Sequence, residues 1–244
     1  MAAFEEARCL MHVRASRGIA PLEEIWLKLQ SEGTCHVFQT FGWVSDWMET
    51  VGKRQRVEPF IVTVSKEMQD FPSLIIPFAI RQIGMARILT MLGGFHADYA
   101  GTVLSGDFCV DGLWDEIATL ARKDNVDLIW VRNIPEKIGH MPNPLFSESC
   151  LPIDAAHAVS IEGSWPDFYE SRVKSRIRAD SRRQIKRLSE IGELRFHIAQ
   201  DENERNLLTE VMIEQKRARY TAMGIKDQFM ESANREFYLR RNEG

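Results

Sequence analysis

Cysteine is scarce and dispersed in this sequence. The four present, Cys9, Cys35, Cys109 and Cys150, form no C-x-x-C pair. That spacing excludes zinc-ribbon and thioredoxin-type motifs and is that of free thiols in a reducing compartment. The six histidines are equally scattered, with no H-x-x-x-H and no Cys/His cluster, so no metal-ligand spacing is present. Long apolar runs are missing: none approaches the roughly 20 residues that a spanning helix requires. The opening MAAFEEARCLMHV carries two early glutamates and lacks the apolar core of a secretory signal. A cytoplasmic chain with no membrane span is the expectation. No Ser-His-Asp set, paired-carboxylate pattern or Walker loop is visible. A strong overall charge is absent too. The 31 Lys+Arg against 35 Asp+Glu give a formal net charge of -4, which argues against a surface that binds nucleic acid throughout.

What is present is an ordinary globular composition, 44% hydrophobic over 244 residues, enough to bury a core. Residues 8–15 predict a first strand. Pro21 to Gln30 has apolar residues at 22, 25, 26 and 29, the spacing of a helix with Pro21 in its first turn. Phe41, Val44, Trp47, Met48 and Val51 predict a second helix over 40–51, stopped at Gly52. Three strands follow at 57–65, 73–82 and 86–92, the last two joined across Gly84. Pro77 inside the second predicts an edge or a bulge. An amphipathic helix is expected at 113–123, a strand at 126–134, a Pro/Asn-rich loop to Pro144, and a sixth strand at 155–161.

After Gly163 the character changes. Ser164 is placed to cap a helix that runs through a basic stretch to Ile191. Eight of the 31 Lys+Arg lie between Arg172 and Arg187, with only Asp180 to offset them. Val173, Ile177, Ile185 and Leu188 mark one apolar stripe, and Arg176, Arg183 and Arg187 share another face. A strand at 193–199 and a helix from Asp201 to about Thr221 come next, with Glu204 at the capping-box position. A last helix covers 228–241. The order strand–helix–helix thus occurs twice. We expect an N-terminal unit over 1–163 and the opening part of a second unit over 164–244, joined by the basic helix.

The element order of 8–161 is that of the GNAT acyltransferase fold, and three stretches resemble one family within it. Phe38 to Trp47 (FQTFGWVSDW) is similar to an early "FQSPAWLRAW"-type helix. Gly93 to Gly101 (GGFHADYAG) is similar to a "DYAD" segment. Trp165 to Gly224, with SRVKSRIRADSRRQIKRL and QKRARYTAMG, resembles an "S-R-x-x-R-x-x-x-R-R" helix and an "RARW…G" helix end. These are features of the CelD/BcsL-type (BioF-like) acetyltransferases of bacteria, linked to polysaccharide and cellulose biosynthesis. The resemblance implies an α/β fold of tandem GNAT-like units and transfer of an acyl group from acyl-CoA to an amine or hydroxyl of a sugar or cell-envelope precursor. It places acyl-CoA on the C-terminal unit and requires no metal. A GNAT unit cradles the CoA pyrophosphate on a glycine-containing loop at a helix start. No Gly-x-Gly occurs in the sequence, and LGGFHADYAG, the nearest segment, contains an acid. The second unit is therefore expected to lack its CoA loop.

The residues offer few catalytic candidates. Asp98 and Tyr99 can stand at a cleft mouth as base or hydrogen-bond partner, or simply cap and pack in a loop. His96 is a further candidate base. Arg176, Arg183, Arg187, Arg217 and Arg219 are candidate anion ligands, since a guanidinium matches phosphate and carboxylate forks. They serve equally well as a solvated face or, for Arg217 and Arg219, as cations at a helix C-terminus. Gln39 and Trp43 can wall a substrate groove or sit in the core. Two other readings stay open: a non-catalytic binding or scaffold protein with this fold, and a nucleic-acid binder using residues 172–187. No aromatic occurs between 171 and 195 to stack on bases, which weighs against the latter.

Overall fold

The computed structural model describes residues 11–67, 71–106, 111–147 and 159–242. The chain divides into two units, the described parts of Met1–Cys150 with Asn206–Gly244, and of Leu151–Arg205.

The first unit is built on a mixed sheet. Runs rich in Val and Ile form β1 (His12–Ser16), β2 (Glu58–Ser65), β3 (Leu74–Ile83) and β4 (Ala86–Met91), paired antiparallel in that order. The turn of the β3–β4 hairpin uses Gly84 at φ 60°. β5 (Val103–Leu104) pairs with the start of β3, and β6 (Leu128–Ile129) lies parallel to β4 after the crossover helix α3 (Leu113–Lys123). A small hairpin, β7 (Lys137–Ile138) and β8 (Met141–Pro142), follows.

Alternation along the strands separates two cores. Phe60, Val62, Ile76, Phe78 and Leu89 point to the α3 face, where Leu113, Ile117 and Ala121 close over them. Ile61, Ile75 and Ala79 point to the other face, covered by α1 (Glu23–Glu32), α2 (Phe41–Trp47) with its π-helical extension Met48–Gly52, and α7 (Ser232–Arg240). Thr40 caps α2 by accepting from the Trp43 N–H at 3.4 Å. At Gly33 a Cβ would come within 2.3 Å of the Leu104 carbonyl oxygen, so only glycine lets α1 end against β5 and form the Thr34–Leu104 bridge.

Pro77 stands in a central strand, where an edge or bulge was expected. Its partner on one side changes there from β4, which ends opposite Phe78, to β5, which begins opposite Ile75. The gap between those two strands tolerates the missing N–H. The strand expected over 126–134 pairs through only two residues. Trp130 N still donates to Leu89 O at 2.8 Å, but Asn133 at φ 57° turns the chain away. Residues 155–158 of the expected sixth strand, and 8–10 of the first, lie outside the described residues, and 159–161 form no strand.

In the second unit, α4 (Trp165–Arg172) and α5 (Ser175–Ile191) replace the continuous helix expected from Ser164. The break is at extended, β-branched Val173. Arg178 secures it by donating to the Glu170 and Val173 carbonyls at 2.6 and 2.5 Å. Ser164 caps α4 as expected, accepting from Asp167 N. The expected apolar stripe is not buried: Ile177, Ile185 and Leu188 are each more than half exposed. Residues 193–199 pair with no strand among the described residues, so the expected second strand–helix–helix series lacks its strand.

The next helix, α6 (Glu202–Met223), begins as the capping-box pattern predicts. Asp201 Oδ1 accepts from Glu204 N at 2.9 Å, and Glu204 Oε2 accepts from Gln200 N at 2.8 Å. Residues 206–242 were expected with the second unit. They pack instead in the first: Phe237 of α7 is fully buried, and Arg241 reaches Asp46 on α2 at 2.5 Å.

Candidate functional site

The helices α1, α2 and α7 leave one end of their sheet face open. Strand register explains what is exposed there. Arg81 lies opposite Ile88 and Ala79 opposite Thr90 in the β3–β4 hairpin, and Ile88 lies beside Leu128 of β6. Side chains two apart share a face, so Arg81 and Ile83, Ile88 and Thr90, and Trp130 and Arg132 form three adjacent rows. The loop after β4 folds over them and adds Phe95, Asp98 and Tyr99. The result is a cleft of about 420 Å³ within the first unit, within the size range of small-molecule sites.

The loop is held by specific contacts. Gly93 has φ 98°, and a Cβ there would lie 2.7 Å from that of Ala97, so the chain can reverse only with glycine. Gln39, fully buried, donates from Nε2 to the Tyr99 carbonyl at 2.9 Å, while its own carbonyl accepts from Trp26 Nε1 at 2.9 Å. Ala100 N donates to Asn133 O at 2.8 Å. The Tyr99 ring packs against His36 and Phe38.

The polar character of the cleft is cationic. Arg81 Nη2 donates to Gln55 Oε1 at 2.8 Å, and Arg132 lies over the Trp130 ring at 6.0 Å. Among the described residues neither guanidinium has a carboxylate partner, although most ion pairs of this unit are made by arginine. Among the described residues Asp98 is the one acid lining the cleft. Trp130 and Phe95 are each about half exposed, at 51% and 52%.

Of the residues singled out from the sequence, the cleft collects Asp98 and Tyr99. His96 points elsewhere. It is 95% buried, since its relative exposure is 5%, and Trp47 Nε1 donates to its Nδ1 at 3.1 Å. Phe95, Phe237 and Tyr238 surround the ring. Burial pushes its pKa down to about 4, against a weak opposing pull from the Gly93 carbonyl, so the ring is neutral. Burial also raises the Tyr238 hydroxyl, with smaller contributions from Tyr220 and Asp98. Trp43 packs edge-on against Phe38 and Phe237 and carries Arg241 over its face.

None of the basic residues singled out from the sequence is among those that line the cleft. Arg176 and Arg183 border a shallow depression on α5 with Asp180 and Gln184, and Arg183 is ion-paired to Asp180. Arg187 is exposed on the same helix. Arg217 is bound by Asp227 at 2.9 Å, which raises its already high pKa, and Arg219 is exposed on α6.

Sequence reading missed Arg81, Thr90, Trp130 and Arg132, which come from three segments. The usable signal was alternation: Trp130 and Arg132 occupy the same side of a short apolar strand where core residues would be expected.

No cluster able to hold a metal occurs among the described residues, and no helix there is long and apolar enough to cross a membrane. After β4 the Gly93–Gly94 turn leads into a single 3-10 turn, Gly94–His96, rather than into a helix. Those residues do not form the glycine-loop cradle for a CoA pyrophosphate.

No curated protein and no solved structure matches the chain. The mixed α/β architecture, with β4, crossover helix and parallel β6, is consistent with a GNAT-like fold. Residues 175–241, spanning α5 to α7, match the family model of an acetyltransferase (GNAT) domain, which supports GNAT superfamily membership and, in general terms, acyl transfer with an acyl-CoA co-substrate.

Proposed function

We propose that the protein transfers an acetyl or other acyl group from acyl-CoA to an amine or hydroxyl of a sugar or cell-envelope precursor. The match of residues 175–241 to a GNAT acetyltransferase domain carries the acyl-transfer part of the reading, and the sugar-type acceptor rests on the sequence resemblance. In such a transfer the acceptor nitrogen or oxygen attacks the thioester carbonyl and the carbon–sulfur bond breaks. The proton lost by the acceptor is passed on, and CoA departs as its thiol. Positioning and a weak base suffice. Asp98, exposed in the cleft, is the proposed base, and Tyr99, which lines the same cleft, is the proposed hydrogen-bond partner of the acceptor.

The donor's phosphates call for cationic groups. We assign them to the basic face of α5, where Arg176 and Arg187 have no carboxylate partner among the described residues and Arg183 shares only Asp180. On α6, Arg219 is exposed and stays an independent anion-binding candidate, while Arg217 would have to give up Asp227 to bind one. Gln39 and Trp43 act from beneath, by holding the cleft loop and α7.

Calorimetric titration with acetyl-CoA tests this assignment. Binding by the wild-type chain should weaken about tenfold or more in Arg183→Glu, because the change removes one charge-assisted bond and adds a repulsive charge. Unchanged affinity in the variant would return α5 to a solvated face.

A further inference from the structure

We propose that the cleft beside Trp130 binds an anionic sugar, a hexose-type ring bearing a phosphate or a carboxylate, with Arg81 and Arg132 holding the anion. The proposal deepens the acyl-transfer reading by giving its acceptor a chemical class and a location, and only the word acceptor rests on that reading.

Four observations converge. First, Arg81 and Arg132 stand on the two sides of β4, both on the open sheet face, and neither is ion-paired among the described residues. Arg81 is already oriented by Gln55, so its fork is preset rather than mobile. The guanidinium fork suits phosphate and carboxylate, so an arginine without a carboxylate partner at a cleft is available to an anion. Second, Trp130 and Phe95 both keep half their surface in water at the same cleft. A flat aromatic face covers the apolar C–H face of a pyranose and leaves its hydroxyls at the rim. Third, those hydroxyls meet Thr90, Asn133, Tyr99 and the Asp98 carboxylate, a mixed set of donors and acceptors. Fourth, a volume of about 420 Å³ is that of a small-molecule site and too small for a folded partner.

The test is calorimetry on the full chain, without acyl-CoA, using glucose 6-phosphate, glucuronate, glucose and inorganic phosphate. At least one anionic sugar should bind, with glucose ten times weaker or more. Which of the two binds identifies the anion as phosphate or carboxylate. Arg132→Gln and Arg81→Gln should each weaken the anionic sugar about 10- to 100-fold, the worth of one charge-assisted hydrogen bond. Trp130→Ala should weaken the anionic sugar by a larger factor than inorganic phosphate, since phosphate loses only the ring beneath Arg132 and not a stacking face. Both Arg132 and Trp130 are solvent-exposed, and circular dichroism confirms that the variants fold. Equal binding of glucose and the anionic sugars, or affinities unmoved by Arg132→Gln and Trp130→Ala, would overturn the proposal. Displacement of the sugar by CoA would also overturn it, by giving the cleft to the donor. Because no acyl donor is present, the outcome is independent of whether acyl transfer is found.

Discussion

Replacing Phe237 by alanine should cost about 3–5 kcal/mol, the range for truncating a fully buried aromatic. The ring has no solvent exposure and meets three others edge-on or nearly so: Trp43 at 5.1 Å, His96 at 4.9 Å and Tyr238 at 5.5 Å. Each such pair adds about 0.5–1.5 kcal/mol to what burial alone supplies. The ring is also the point where a helix more than 180 residues downstream enters the core of the first unit. Around it, Arg240 binds Glu49 at 2.6 Å and Arg241 binds Asp46 at 2.5 Å. Those pairs are partly exposed and contribute at most about 1 kcal/mol each. Phe237→Ala should therefore lower the thermal midpoint by roughly 6–20 °C, at about 2–4 °C per kcal/mol for a chain of this size. Arg235→Ala, which removes an exposed pair with Glu210, should move it by about a tenth of that. Tryptophan fluorescence reads the loss directly, since Trp43 and Trp47 line the same nest. A change below 1 kcal/mol in Phe237→Ala would mean that residues 206–242 do not share the core of the sheet.

The second large effect is on pH dependence. His96 is neutral in the fold, with a pKa lowered to about 4 by burial, and ionises near 6.5 when unfolded. Between those values the unfolded chain binds more protons than the native one, so stability falls as pH falls from 6.5 towards 4. The lost stability approaches about 3 kcal/mol at the low end. Geometry explains why the ring cannot charge in place. Trp47 already donates to Nδ1, so the proton of the neutral ring is on Nε2, and Nε2 has no partner among the described residues. A second N–H would have to displace the indole donor. The charged neighbours do not offset this: Asp98 is two residues away but exposed, and Arg240 at the end of α7 and Arg241 just after it are already paired with Asp46. His96→Gln should lower stability at pH 8 through lost ring contacts, yet flatten its slope between pH 6.5 and 4. His36, also depressed by burial, leaves a residual slope of the same sign. An unaltered slope in His96→Gln, measured by urea unfolding across that window, would contradict a buried neutral imidazole.

Much of the fold was readable because periodicity carries it. The β2–β3–β4 meander follows from β-branched runs on either side of Gly84, and α3 spans the predicted 113–123 because its apolar residues fall on one face. The caps at Ser164 and Asp201 were legible as single side chains with defined donors. What failed was whatever depends on a neighbour. β5 has two residues, too few for a period, and exists because β3 offers an edge where β4 leaves it. Residues 193–199 alternate like a strand, but no described edge pairs with them, and Leu194, Phe196 and Ile198 remain exposed. Val173 looked like one position in a helical stripe, although Arg178 makes it a break. The candidate site shows the same division. Asp98 and Tyr99 were visible as a polar pair in a glycine-bounded loop. Arg81, Thr90, Trp130 and Arg132 become neighbours only through strand register, and His96 was excluded from the cleft only by its contact with Trp47.

The proposed activity is transfer of an acyl group onto a sugar-type acceptor. Mass spectrometry with isotopically labelled acetyl-CoA and a panel of hexose and hexosamine phosphates tests it most directly. Labelled acetyl should appear on an acceptor amine or hydroxyl with an equal amount of free CoA thiol, and both should be lost in Asp98→Asn. Label remaining wholly on CoA with every acceptor, under conditions where acetyl-CoA and the sugar phosphate both bind, would contradict it.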